Sequence, residues 1–153
     1  MIVLDTSAII EMSRQSPEGW ALENLMLEGE KAISCELLRV EATSVVRKLV
    51  RAGKIAPDEA PGYLEKTCAL VDEFIPIKEL QTEALREGIR LNHFTYDMYY
   101  FILARRCGAT LFTLDRKLID LCIENGVDCI ADEPLESKSP SLPYPNHSPN
   151  RQS

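Results

Sequence analysis

The stretch His93–Leu118, HFTYDMYYFILARRCGATLFTLDRKL, decides the fold. It reads as a helix, a tight turn, a buried strand and the start of a further helix. Thr95 is the expected cap of the first helix, accepting a backbone N–H, and Asp97 then falls in the first turn, where a negative charge suits the helix dipole. Apolar residues fill the helix, and Gly108 stops it where a left-handed residue is needed. Ala109–Thr113 is a short apolar run of the length of a parallel strand, and Asp115 follows it. Ligand sites in open parallel sheets form outside the carboxyl ends of the strands. The spacing therefore predicts that Asp97 and Asp115 come to one edge of a sheet.

Working outward, Ile2–Asp5 reads as a first strand, apolar until it ends in a carboxylate, as suits a strand buried on both faces. Thr6 or Ser7 is expected to cap a helix carrying Ala8, Ile9, Ile10 and Met12. Ser16-Pro17 signals another helix start, running to about Glu28 and ended by Gly29. A second strand is expected over Lys31–Ser34, with Ser34 capping a long helix from Cys35 to Ala52. Stepping 100° per residue along that helix from Leu37 sets Leu38, Ala42, Val45, Val46 and Leu49 on one apolar arc. Glu41 lands inside the arc that Leu37 opens. A carboxylate there needs a partner or a cation, unless its head reaches water at the edge. Pro57 opens a further helix that Pro61-Gly62 is expected to interrupt. Phe74–Ile77 is a short edge strand, Glu79–Leu91 a helix, Arg116–Asn125 another, and Val127–Ile130 the last strand. Strands alternating with helices give an α/β domain over residues 1–130 with a mostly parallel sheet. The tail, residues 131–153, is rich in Pro, Ser and Asn and is expected to be disordered.

The chain has 153 residues, enough for one domain with its own core. No apolar run approaches the roughly 20 residues of a membrane helix, and no basic leader precedes Ile2, so a cytoplasmic protein with no membrane partner is expected. Five cysteines without a CxxC pair are read as reduced and mostly buried, and zinc-ligand spacing is absent. The net charge of −7 excludes a surface that grips nucleic acid by bulk charge. It does not exclude a nucleic-acid enzyme, because bound divalent ions and a local basic patch reverse the sign where it matters.

Four acids stand out by position: Asp5 after the first strand, Glu41 on an apolar helix face, Asp97 in a first turn, and Asp115 after a later strand. Carboxylates without histidine or cysteine suit hard cations such as Mg²⁺ or Mn²⁺. Clustered carboxylates repel and raise one another's pKa unless a cation sits among them. Such a site activates water and stabilises a leaving oxygen in phosphodiester cleavage. Each acid, taken alone, is more readily read as a solvated cap.

Together and in this order, IVLDTSAII at the start, RVEATSVVRKL in the middle and TYDMYYFILARRCGATLFTLDRKL near the end resemble the PIN domain, and most of all the VapC-type toxins of toxin–antitoxin pairs. The resemblance spans about residues 1 to 130. It implies a three-layer α/β/α fold and a metal-dependent ribonuclease that hydrolyses RNA to a 3′-hydroxyl and a 5′-phosphate. The family's acidic positions fall on Asp5, Glu41, Asp97 and Asp115. Asp5, Asp97 and Asp115 would hold Mg²⁺ or Mn²⁺, and Glu41 would bind metal or orient the attacking water. Thr6 and Thr113 match the hydroxyl residues beside the family's acids. Arg116 and Lys117 follow Asp115 and are candidate phosphate contacts, or a solvated helix face. The resemblance further implies a homodimer, assembled into a heterotetramer or larger with a VapB-like antitoxin. The antitoxin's C-terminal segment would lie in a groove near Ile9–Met26 and insert a basic side chain among the acids. Trp20 is read as part of that groove or as core. Pro61-Gly62 and the proline-rich tail depart from the family pattern.

Two other functions compete. An aspartate after strand one is also the nucleophile of phosphoryl-transfer enzymes, but the haloacid-dehalogenase pattern needs a second aspartate where Ser7 stands. A PIN-like binding module without activity is the other, and the intact acids weigh against it. His93 is read as a surface loop residue or an RNA contact. Tyr96, Tyr99, Tyr100 and Phe101 are read as core and interface, with base stacking as the alternative.

Overall fold

The computed structural model describes residues 1–130; the expectations for the tail lie outside the described residues. The elements run β1 (Ile2–Leu4), α1 (Thr6–Arg14), α2 (Pro17–Leu25), β2 (Ala32–Cys35), α3 (Leu37–Arg51), α4 (Ala60–Cys68), β3 (Glu73–Ile75), α5 (Ile77–Leu91), α6 (Thr95–Cys107), β4 (Thr110–Phe112), α7 (Arg116–Glu124) and β5 (Cys129–Ile130). All strand pairings are parallel, in the order β3-β2-β1-β4-β5. This is the α/β fold expected from the alternation of strands and helices.

The order decides where the site lies. From β1 the chain moves outward to β2 and β3, then returns across the sheet to β4 and continues to β5. Parallel crossovers are right-handed, so reversing direction puts the later helices on the opposite face. The packing agrees: α1 touches α2, α3 and α4, while α6 touches α5 and α7. The reversal falls between β1 and β4, whose register pairs Leu4 with Phe112. That is the switch point of the sheet, where a crevice opens at the strand ends. The central strands and α6 supply the core, with Val3, Leu4, Leu111, Phe101, Ile102 and Met98 all at most 0–1% exposed.

Several local expectations are corrected. Asp5, rather than Thr6 or Ser7, caps α1, by accepting from the Ala8 amide. Ser34 does not cap α3; it lies in β2, buried, and donates to the Leu4 carbonyl 2.6 Å away. Phe94 occupies the cap position of α6, with no side-chain bond, and Thr95 is the first helical residue. Pro61 does not interrupt a helix. It sits in the first turn of α4, where the missing N–H has no intrahelical acceptor to lose. Ser16 does cap α2, with its hydroxyl accepting from Gly19 at 3.0 Å. Gly19 is needed there for space, because a Cβ would lie 2.1 Å from the Glu11 carbonyl oxygen on α1. All five cysteines are free, yet only Cys35 and Cys122 are buried, and Cys107 is exposed. Trp20 is 59% exposed and so is not core, and neither is Tyr96 at 65%.

Candidate active site

Asp5 leaves the end of β1 straight into the N-terminus of α1, which makes it both cap and site residue. It is 5% exposed. Its Oδ1 accepts from the Ser7 hydroxyl at 2.7 Å and the Ala8 amide at 2.9 Å. Its Oδ2 accepts from the Thr113 hydroxyl, just beyond β4 on the neighbouring strand. Burial pushes its pKa up to about 6, against the lowering effect of the Thr113, Ala8 and Ser7 hydrogen bonds and with a smaller upward push from Glu41. Thr113 ties this carboxylate to the next, since its Oγ1 accepts from the Asp115 amide at 3.1 Å. Ser7 makes a second strap, accepting from the Leu114 amide at 2.9 Å.

Glu41 reaches the same crevice from α3. Its Oε1 accepts from the Thr6 hydroxyl at 3.0 Å and from the Tyr100 hydroxyl of α6. Tyr100 is 3% exposed, and burial holds its phenol well above the ordinary range, so it remains a proton donor. The Glu41 position, inside an apolar arc yet only half-buried, is thus explained by two hydroxyls from opposite faces of the sheet.

Asp97 and Asp115 form the other part. Asp97 lies in the first turn of α6, and burial raises its pKa, followed by the opposing effect of His93 and then the charge of Asp115. Its Oδ2 lies 2.9 Å from His93 Nε2. His93 is therefore held against an acid of the site, with its side chain only 13% exposed, and is not a free surface residue. Asp115 caps α7, accepting from the Lys117 amide at 2.9 Å and the Leu118 amide at 3.4 Å. Arg116 pairs with Asp120 at 3.5 Å along the same helix, while Lys117 makes no ion pair among the described residues.

The four acids come from the end of β1, from α3, from α6 and from the β4–α7 turn; Asp5 feels a small upward push from the charge of Glu41, and Asp97 one from that of Asp115. The donor set is all oxygen, and no Lys or Arg pairs with any of the four among the described residues. That chemistry fits a hard divalent cation. As the side chains stand, no three His, Cys, Asp or Glu side chains among the described residues are close enough to hold one ion together.

A family model described as "PIN domain" matches residues 2–124, and the chain belongs to the PIN-domain family. It is 26% identical over 125 residues to Ribonuclease VapC3 from Pyrobaculum aerophilum, covering 78% of this chain and 92% of that protein. Among solved structures, PAE2754 from Pyrobaculum aerophilum superposes with a TM-score of 0.61 at 22% identity, over 78% of this chain and 82% of that one. VapBC2 from Rickettsia felis, solved bound to a DNA fragment from its promoter, gives 0.62 at 12% identity, over 87% of this chain and all of that one. These two likenesses concern the fold.

Three residues of the site escaped the sequence reading in their actual roles: Ser7, Tyr100 and His93. Tyr100 stands at i+3 from Asp97, on the same helix face one turn on, so its spacing carried a signal that its aromatic neighbours obscured. No helix of the described residues is long and apolar enough to cross a membrane.

Proposed function

We propose that this chain is an endoribonuclease dependent on Mg²⁺ or Mn²⁺, and the toxin of a toxin–antitoxin pair acting in the cytoplasm. The observation that carries the reading is the buried Asp5, whose two oxygens are aimed by Ser7, Ala8 and Thr113 at the sheet's switch point, beside three further acids without a Lys or Arg partner. Desolvating a carboxylate is costly without a countercharge. Asp5, Asp97 and Asp115 would hold the cation, which when bound lowers the pKa of water and offsets charge on the phosphate. Glu41, held by Thr6 and Tyr100, would orient the attacking water or reach the ion. Lys117 and Arg116, which follow Asp115 in sequence, would be phosphate contacts, and Arg116 would first have to leave Asp120. The product expected is a 3′-hydroxyl with a 5′-phosphate.

The antitoxin reading is supported by a groove of about 610 Å³ that opens from Thr6 and Ser7 between Ile10, Val45 and Leu114, with Glu11 and Glu18 on its rim. An apolar floor with acidic edges suits an amphipathic segment carrying basic residues. Homodimerisation, and a heterotetramer or larger with the antitoxin, belong to the same proposal. Phosphoryl transfer through Asp5 as nucleophile is the poorer reading, because Ser7 stands where the haloacid-dehalogenase pattern needs a second aspartate and its hydroxyl donates to Asp5.

The test uses protein freed of any antitoxin and incubated with RNA and Mg²⁺ or Mn²⁺. Cleavage that stops in chelator and in Asp5→Asn or Asp97→Asn supports the reading. Unchanged cleavage in excess chelator, or in both variants, removes it. RNA binding without cleavage under every metal condition makes the chain a PIN-like binding module. Growth arrest on expression of the chain alone, relieved by the product of a neighbouring small gene, supports the toxin role. Normal growth with soluble protein turns the reading towards a housekeeping nuclease.

A further inference from the structure

Beside the Asp97–Asp115 pair lies a second cavity of about 440 Å³, lined by Asn92, His93, Phe94, Thr95 and Lys117. Its size falls in the range of small-ligand sites, about 300–1,000 Å³. Phe94 is its main apolar feature and is 72% exposed. The ring occupies the cap position of α6, where Ser, Thr, Asp or Asn would bond a free amide and a phenylalanine bonds none. The ring is held from one side, edge to face with His93 at 6.3 Å and 77°, and His93 is itself anchored on Asp97.

Lys117 completes the cavity. Its Nζ lies 6.0 Å from the Phe94 centroid, at the outer limit of a cation–π contact, and it makes no ion pair among the described residues. Its charge reaches Asp97, where it opposes in small part the upward push of burial on that carboxyl. In a chain with net charge −7, a lysine next to the acids with no ion pair among the described residues is where a phosphodiester would be met.

We propose that Phe94 and Lys117 form a nucleotide subsite beside the scissile position, in which one unpaired base stacks on the Phe94 ring and Lys117 contacts a phosphate of the same strand. This rests on the ribonuclease reading and deepens it, because it gives one base of the substrate a named platform on this chain. A base within a duplex is already stacked on both faces and has none to offer the ring. The cavity shares no lining residue with the Thr6–Ser7 groove.

The test is a binding measurement in chelator, with no cleavage, using a fluorescein-labelled mixed-sequence RNA 12-mer, single-stranded and as a duplex. Wild-type protein should prefer the single strand. Phe94→Leu should weaken single-strand binding roughly 5- to 150-fold, the range for loss of one base–aromatic stack, and Phe94→Trp should restore it. Lys117→Gln should make the dependence of log affinity on log salt shallower by about 0.7, the share of one phosphate on a single strand, while Lys66→Gln on α4 should leave it unchanged. Circular dichroism and sedimentation of each variant check that fold and oligomeric state are kept. Equal affinity of wild type and Phe94→Leu, or equal affinity for duplex and single strand, overturns the subsite whether or not the protein cuts RNA. A Phe94→Leu effect on oligomeric state with RNA binding intact also overturns it, and makes the ring a protein contact. The predicted binding pattern in a protein that never cleaves keeps the subsite and removes the nuclease reading.

Discussion

The Tyr100 hydroxyl donates to Glu41 Oε1, joining α6 on one face of the sheet to α3 on the other through a carboxylate. Thr6 donates to the same oxygen at 3.0 Å, and the two hydroxyls stand 3.0 Å from each other. Two hydroxyl hydrogens cannot fill three contacts. With both committed to Glu41, the Thr6–Tyr100 approach is carried by the carboxylate between them. Glu41 is therefore oriented by two donors on one oxygen, and its Oε2 is left for the crevice.

Tyr100→Phe removes one of those donors and keeps the ring. Cleavage should fall roughly tenfold, equivalent to about 1.4 kcal/mol at the barrier, with the cost in stability about 1 kcal/mol. Thr6→Val should act in the same direction. The double variant should lose less than the product of the two, since both act through one carboxylate. Single-turnover rates with a labelled RNA, set beside denaturant melts, separate the two effects.

Asp5→Asn should abolish cleavage and stabilise the metal-free protein. The Asp5 pKa is raised from 3.8 to about 6 on folding, chiefly by burial. Between those values the folded state holds more proton than the unfolded one, so wild-type stability falls as pH rises through that window. The whole effect is on the order of 2–3 kcal/mol. Asn carries no such penalty. Its advantage should be present at pH 7 and gone below about pH 4, as read from urea midpoints across pH in chelator. Wild type and variant running parallel across pH would refute the assignment of a buried, strained charge to Asp5.

Metal should reverse that order. Mg²⁺ or Mn²⁺ binding only the folded state raises stability by mass action. The melting temperature of wild type should climb with cation concentration, and that of Asp5→Asn should stay nearly flat. Thermal melts of the two proteins over a Mn²⁺ titration make the comparison.

Thr113→Val tests the strap between strands. Its hydroxyl donates to Asp5 and accepts from the Asp115 amide, so both acids lose an orienting bond at once. Thr113 is fully buried, and valine leaves the Asp115 amide without its acceptor, at a cost of about 1–3 kcal/mol. Thr113→Ser should recover most of the activity, which a purely steric role of the methyl group would not allow.

Gly19→Ala should destabilise without touching the acids. A Cβ would meet the Glu11 carbonyl oxygen and carbon at 2.1 and 2.4 Å, so α2 must move off α1. Overpacking of this kind costs about 1–3 kcal/mol, readable as a lower urea midpoint. Metal affinity should be preserved.

The elements of this fold were legible because each rests on local pattern. Apolar runs of strand length ended at Asp5 and near Asp115, and the 100° step already placed Glu41 among Leu37 and Leu38. What stayed hidden is what neighbours in space decide. Thr95 and Ser34 looked like caps, but Ser34 found the Leu4 carbonyl across the sheet, and Phe94 took the cap position ahead of Thr95. Tyr100 and Ser7 have partners 59 and 106 residues away along the chain, beyond any periodicity. His93 looked solvated because nothing in a three-residue loop announces that the ring turns back onto Asp97. The strand order, and with it the crevice, is likewise a product of the whole chain.

Asp5 draws its donors from two moments of synthesis. Ser7 and Ala8 are at hand as soon as the first helix forms, whereas Thr113 arrives only when β4 has docked beside β1. A nascent chain thus carries an incomplete centre until β4 has been made and docked. On the ribonuclease reading proposed above, the ribosome and the message it is reading meet a complete set of acids only after that docking.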